Sequence, residues 1–175
     1  NYSISEGGLH LTLETGDTNG QFSDMKNIFL LYPPWSDFRI TVHLDFDPQQ
    51  TIEMAFVTVW QDHNNYLRFA DLWLFGKVFE FACETDGVFT SQFGSNTLGS
   101  TKQMRVEKVG NTYTCLASAD GVTWTRIGEP RELDLIDIKV GFGAASPNIV
   151  TGRVAHFDAF MIEPLTSGVG DWALY

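Results

Sequence analysis

The run Gln61-Asp62-His63-Asn64-Asn65-Tyr66-Leu67-Arg68-Phe69, entered from Met54–Trp60, carries the residue types that hold a sugar. Aromatic faces stack on C–H-rich surfaces, while carboxylates, amides and guanidinium groups hydrogen-bond to hydroxyls. Trp60, Tyr66 and Arg68, beside Asp62 and Asn64, supply both kinds of contact. Trp73, Glu84 and the Trp35 that follows Pro33-Pro34 complete the candidate ligand-binding set. A plainer reading competes with it. Trp60 and Tyr66 would pack beneath a loop, Arg68 would pair with an acidic neighbour, and Trp35 would cap the core.

These side chains need a strand, a short polar turn and a return strand to place them. Alternation points Val57 and Val59 into a core and Phe56, Thr58 and Trp60 away from it, and it sets Leu67 and Phe69 against Tyr66 and Arg68. Period-2 runs recur along the chain. They predict strands over Leu9–Glu14, Ile28–Tyr32, Phe38–Phe46, Met54–Gln61, Tyr66–Ala70, Lys77–Glu84 and Phe89–Phe93, then Gln103–Val109, Thr112–Ala119, Thr123–Ile127, Ile138–Phe142 and Arg153–Ile162. Gly110-Asn111 and Asp120-Gly121 tolerate positive φ, which makes a meander of the three runs they join. Many short strands without alternating helices predict an all-β sandwich or barrel over residues 1–165, with 166–175 as a linker or tail.

Composition narrows the function. A net charge of −11 and a pI near 4.6 exclude nucleic acid, whose phosphates would be repelled. No run approaches the roughly 18 apolar residues of a membrane-spanning helix. The chain opens at Asn1 with no leader. A mature secreted protein and a module cut from a longer protein would both look like this; we favour the module, with an extracellular or cell-surface location.

Cys83 and Cys115 both lie in predicted strands and are read as buried free thiols. A disulfide remains open, because it needs Cα atoms within about 7 Å. The histidines at positions 10, 43, 63 and 156 show no metal-ligand spacing. No cofactor motif appears. Asp158 and Glu6, from strands expected to pair, are candidate ligands for a structural Ca²⁺. Glu132, Asp134 and Asp137 alternate like glucanase carboxylates, but a short Asp in the last position and a location before the strand at Ile138 argue against catalysis. Ser118-Ala-Asp120-Gly121-Val-Thr123-Trp124 is read as a structural turn.

Several segments in order give the chain a family resemblance. They are Asn27-Ile28-Phe29-Leu30-Leu31 with Asp37-Phe38-Arg39-Ile40-Thr41-Val42, then the Gln61-Asp62-x-x-Asn65-Tyr66-x-Arg68 hairpin, then Met104-Arg105-Val106. Ser118-x-Asp120-Gly121-x-x-Trp124, Val140-Gly141-Phe142 and His156-Phe157-Asp158-Ala159-Phe160 follow. The set resembles the concanavalin A-like β-sandwich domains on the C-terminal side of bacterial β-xylosidases and arabinofuranosidases. The resemblance implies an all-β, two-sheet antiparallel β-sandwich with one concave and one convex sheet, and a role beside a glycan-degrading catalytic domain of the same polypeptide. Many relatives carry Gly where this chain has Phe56, so the groove is expected to be partly filled. The expected function is non-catalytic carbohydrate binding. The alternative is a structural domain packed against the catalytic one, and a glucanase-like hydrolase is the remote third.

Overall fold

The structure is a computed structural model that describes residues 1–19, 22–147 and 151–165. Its strands in chain order are β1 (Tyr2–Ser5), β2 (Gly8–Thr12), β3 (Thr18–Asn19), β4 (Phe22–Ser23) and β5 (Ile28–Leu31). Next come β6 (Phe38–Asp45), β7 (Met54–Asp62), β8 (Asn65–Trp73), β9 (Lys77–Thr85) and β10 (Val88–Ser95). The last are β11 (Thr101–Val109), β12 (Thr112–Ser118), β13 (Thr125–Glu132), β14 (Lys139–Ala145) and β15 (Val154–Pro164). Among the described residues there is no helix long and apolar enough to cross a membrane.

Two antiparallel sheets pack face to face, a seven-stranded one in the order β1-β2-β15-β6-β11-β12-β13 and a six-stranded one in the order β10-β9-β8-β7-β14-β5. The core lies between them. Ile40, Val42, Leu44, Met104 and Val106 from one sheet meet Val57, Val59, Leu67, Phe69 and Phe81 from the other. Alternation therefore does what the period-2 runs predicted, and Cys83 and Cys115 are buried, free thiols within this core. β15 changes parity at a bulge between Phe157 and Ala159, so Ala155 and Phe157 face the core before it and Phe160 and Ile162 after it.

Each predicted run is a strand, and the predicted meander is β11-β12-β13. Two differences have physical causes. β13 runs on through Gly128-Glu129-Pro130 to Glu132, which is tolerated because it is the outer strand of its sheet and Pro130 need not donate there. β1, β3 and β4 were not expected, since they run only four, two and two residues, too short for alternation to stand out. The predicted tail, 166–175, lies outside the described residues.

The Asp120 turn is structural, as expected. Its carboxylate accepts the N–H groups of Thr123 and Val122, at 2.7 and 2.8 Å, and the Ser118 hydroxyl at 3.0 Å. The Trp124 indole donates to the Gly121 carbonyl, and the Arg105 guanidinium lies 3.6 Å from the Trp124 ring centroid.

Lys102 sits in the core with its ammonium 2.5 Å from Asp71 and 2.7 Å from the Phe46 carbonyl, and Asn96 donates to the other Asp71 oxygen at 2.7 Å. Both charges are buried. Replacing one alone strands the other in a low dielectric. Lys102→Met is expected to cost about 3–5 kcal/mol in urea unfolding, and Lys102→Met with Asp71→Leu to recover most of it. The hydrogen bonds from Thr123, Val122 and Ser118 hold the Asp120 carboxyl at about 2, below the ordinary value of about 3.9. Its contribution to stability is thus complete above pH about 4 and fades as pH falls toward 2. Asp120→Asn should flatten the acid limb of the stability–pH curve in that window, read by thermal unfolding.

Candidate functional site

The outer face of the six-stranded sheet collects charged and polar side chains together with several aromatic rings. Register aligns Phe89, Glu84, Tyr66, Trp60 and Lys139 in one row across β10, β9, β8, β7 and β14. Trp60 stacks on Tyr66, with ring centroids 5.2 Å apart and 21° between planes. The row continues to Tyr32, whose ring centroid lies 5.4 Å from the Lys139 ammonium. Further along the same face stand Arg68, Glu80 and Phe93, and beyond them Met54 and Leu72.

A short strap crosses this face. It begins at Gly16, where φ is +140° and a Cβ would come within 2.8 Å of the Asp24 carbonyl, so only glycine fits. Asp17 and Thr18 then descend onto the sheet. The Arg68 guanidinium donates to Asp17 at 2.9 Å, to the Thr18 hydroxyl at 3.0 Å and to Glu80 at 3.0 Å. The Tyr66 hydroxyl lies against the Thr18 carbonyl and 3.0 Å from the Glu84 carboxylate. Burial opposes the Arg68 charge, but Glu80 and Asp17 outweigh it and raise the guanidinium pKa above its ordinary value. Burial likewise pushes the Tyr66 phenol up, so it stays protonated as a donor.

The sequence-selected residues divide accordingly. Tyr66, Arg68 and Glu84 share the expected face but are buried beneath the strap, in the plainer role of structural partners. Trp60 is half-buried at the strap's edge and offers its outer surface. Trp73 does not join them. It has the parity of Leu67, Phe69 and Asp71, which places it on the opposite sheet face from Arg68. Asp62 and Asn64 form the β7–β8 turn: Asp62 accepts from the Asn64 N–H at 2.8 Å and from the Asn65 amide at 3.1 Å. Burial pushes the Asp62 carboxyl up, yet these bonds and one from Gln61 hold it below its ordinary value. Trp35, 43% exposed, lies apart in a 450 Å³ cleft at the sandwich end with Tyr32, Pro33, Lys108, Leu135 and Ile138.

Sequence reasoning missed Asp17, Glu80, Phe89 and Phe93. The last three were detectable, since Glu80 and Glu84 share the face of β9 opposite its apolar Phe79, Phe81 and Cys83, and Phe89 and Phe93 share one face of β10. With Asp17, Asn19, Arg68, Met54, Leu72, Ile52 and Leu74 they line a cleft of about 130 Å³ beside the strap. Phe56 fills the neighbouring part of the face, as its bulk predicted. It is buried with Met54, Ala70, Leu72 and Ala145, and its ring lies 2.5 Å from where a Cβ on Gly143 would stand.

Glu132 ends an outer strand and Asp134 accepts the Asn111 amide at 3.3 Å in the irregular 133–137 connection, so these carboxylates are not arrayed along one strand face. Glu6 lies in the β1–β2 turn and Asp158 on the bulge beside Gly8, so the expected pairing of chain ends holds. Among the described residues no group of three or more His, Cys, Asp or Glu side chains could hold a metal ion. His10 and His156, given no mutual relation by spacing, meet across β2 and β15 with ring centroids 3.7 Å apart.

The fold is that of a concanavalin A-like β-sandwich. The chain belongs to the family of β-xylosidase C-terminal concanavalin A-like domains, whose model matches residues 1–163. Its structure is similar to the GH43 protein BlXynB of Bacillus licheniformis, with a TM-score of 0.84, 19% identity, and 93% of this chain covering 34% of that one. It is similar to the xylan β-1,4-xylosidase of Bacillus halodurans, with a TM-score of 0.79, 16% identity and coverage of 93% and 34%. The carbohydrate-binding module CBM66 of Bacillus subtilis matches at a TM-score of 0.57 and 11% identity, covering 93% of this chain and 91% of that one. The chain thus spans about a third of the length of the xylosidases it resembles. No curated protein matches it.

Tyr66→Phe keeps the ring beneath Trp60 but removes the hydroxyl between Thr18 and Glu84. It is expected to cost about 1–3 kcal/mol and to speed hydrogen exchange at Asp17 and Thr18, with exchange in β8 far less changed. Equal acceleration throughout the sheet would show that the hydroxyl does not hold the strap.

Proposed function

We propose that the chain is a non-catalytic carbohydrate-binding domain attached to a glycan-degrading catalytic domain of the GH43 type, acting at the cell exterior. The observation that carries this reading is the outer face of the six-stranded sheet. Trp60, Phe89 and Phe93 present ring surface there, beside Glu80, Asp17 and Arg68. Rings of this kind stack on sugar faces, and the charged groups set hydroxyl contacts. Adsorption would then raise the local concentration of substrate at a tethered catalytic site. Membership of a β-xylosidase accessory family and likeness to xylosidases make xylan the first substrate to try.

One observation favours the structural alternative. Where β1 and β5 form the outer edges of the two sheets, Ile4 is 75%, Tyr2 60% and Leu31 45% exposed, and Tyr2 stands edge-on to Phe29 at 5.5 Å. An apolar flank of this kind suits a neighbouring domain. The two roles use different surfaces and are compatible.

The isolated domain should bind soluble xylan or arabinan in calorimetric titration. The double variant Trp60→Ala, Phe93→Ala should lose that binding while its thermal unfolding stays close to wild type. Binding unchanged in the double variant would remove this face from the function.

A further inference from the structure

The face described above is not uniform. The strap separates the open Trp60 surface from the cleft that Arg68, Glu80, Phe89 and Phe93 line with Asp17 and Asn19. Three properties of that cleft point to its occupant. Its volume, about 130 Å³, is only about four waters' worth and well below the ~300 Å³ where pockets for larger ligands begin. One sugar ring fills such a space and a chain does not pass through it. Its wall is mixed in chemistry: Met54, Leu72 and Phe89 are apolar, while Asp17, Arg68 and Glu80 are charged. Finally, the Arg68 Nε–H is buried without an acceptor among the described residues, although the other guanidinium nitrogens are engaged by Asp17, Thr18 and Glu80. A buried charged donor with no acceptor is costly, and a ligand hydroxyl oxygen would satisfy it.

We infer that this cleft seats the terminal unit of a neutral sugar chain end-on, an inference that rests on the carbohydrate-binding reading. The terminal ring lies against Phe93 and Phe89, its hydroxyls donate to Asp17 and Glu80, and one hydroxyl oxygen accepts from Arg68. Asp17 and Glu80 outnumber the single Arg68 charge and the chain carries −11 overall, so an acidic terminal sugar is disfavoured. Phe93, 49% exposed, is the ring whose loss disturbs the fold least. Trp60, on the far side of the strap, is not part of the seat.

The test is calorimetric titration of the domain with xylose, arabinose and glucose oligosaccharides of two and six units, and with the matching polymers at equal concentrations of chain ends. The expected result is one affinity per chain end regardless of length. Phe93→Ala should weaken it about tenfold, and Tyr2→Ala, an exposed ring outside the cleft, should leave it within about twofold. Affinity that climbs with chain length at matched ends, or that falls with Trp60→Ala or Tyr2→Ala and not with Phe93→Ala, overturns end-on binding but leaves the carbohydrate reading intact. Binding to none of these sugars overturns both.

Discussion

The buried guanidinium of Arg68 is the contact on which the arrangement of the outer face depends. It ties Asp17 and Thr18, from a glycine-led segment near the chain start, to Glu80 on β9 of the six-stranded sheet. A charge in this position is stable only while its carboxylates are in place, so strap and sheet are set together. Tyr66 adds a second tie through Thr18 and carries Trp60 on its ring. Through these contacts one hairpin decides how much of the sheet is covered, how much stays open, and where the cleft between them lies.

That dependence explains what was legible in the sequence. The sandwich was legible because each strand shows one apolar face, and Val57, Val59, Leu67 and Phe69 lie in the core as alternation requires. The face bearing Trp60, Tyr66 and Arg68 was legible for the same reason. What the strap does to that face was not. Gly16-Asp17-Thr18-Asn19 has the composition of an ordinary turn, and its partners Tyr66 and Arg68 lie 48 to 51 residues away. Local pattern holds no information on a contact of that separation. Trp73 was misgrouped because its chemistry suits a sugar, whereas its parity, seven residues after Tyr66, assigns it to the other side of the sheet.

The two surfaces of the domain divide the proposed labour. The strapped face offers rings and hydroxyl partners for a glycan, while the β1 and β5 flank exposes Tyr2, Ile4 and Leu31 where a neighbouring domain would cover them. The core contributes rigidity to both through the buried Lys102–Asp71 pair, which links β11 of one sheet to β8 of the other. β8 therefore carries the inter-sheet charge pair on one face and the strap's anchor on the other.

The most direct measurement of this account is a backbone and aromatic NMR titration of the assigned domain with a neutral xylo-oligosaccharide. The account predicts shifts confined to the outer face of the six-stranded sheet, at Phe89, Phe93, Leu72 and the Asp17–Asn19 strap, with Tyr2, Ile4 and Phe29 unmoved. Shifts at the β1 and β5 flank, or at the Trp35 cleft with the strapped face silent, would contradict it.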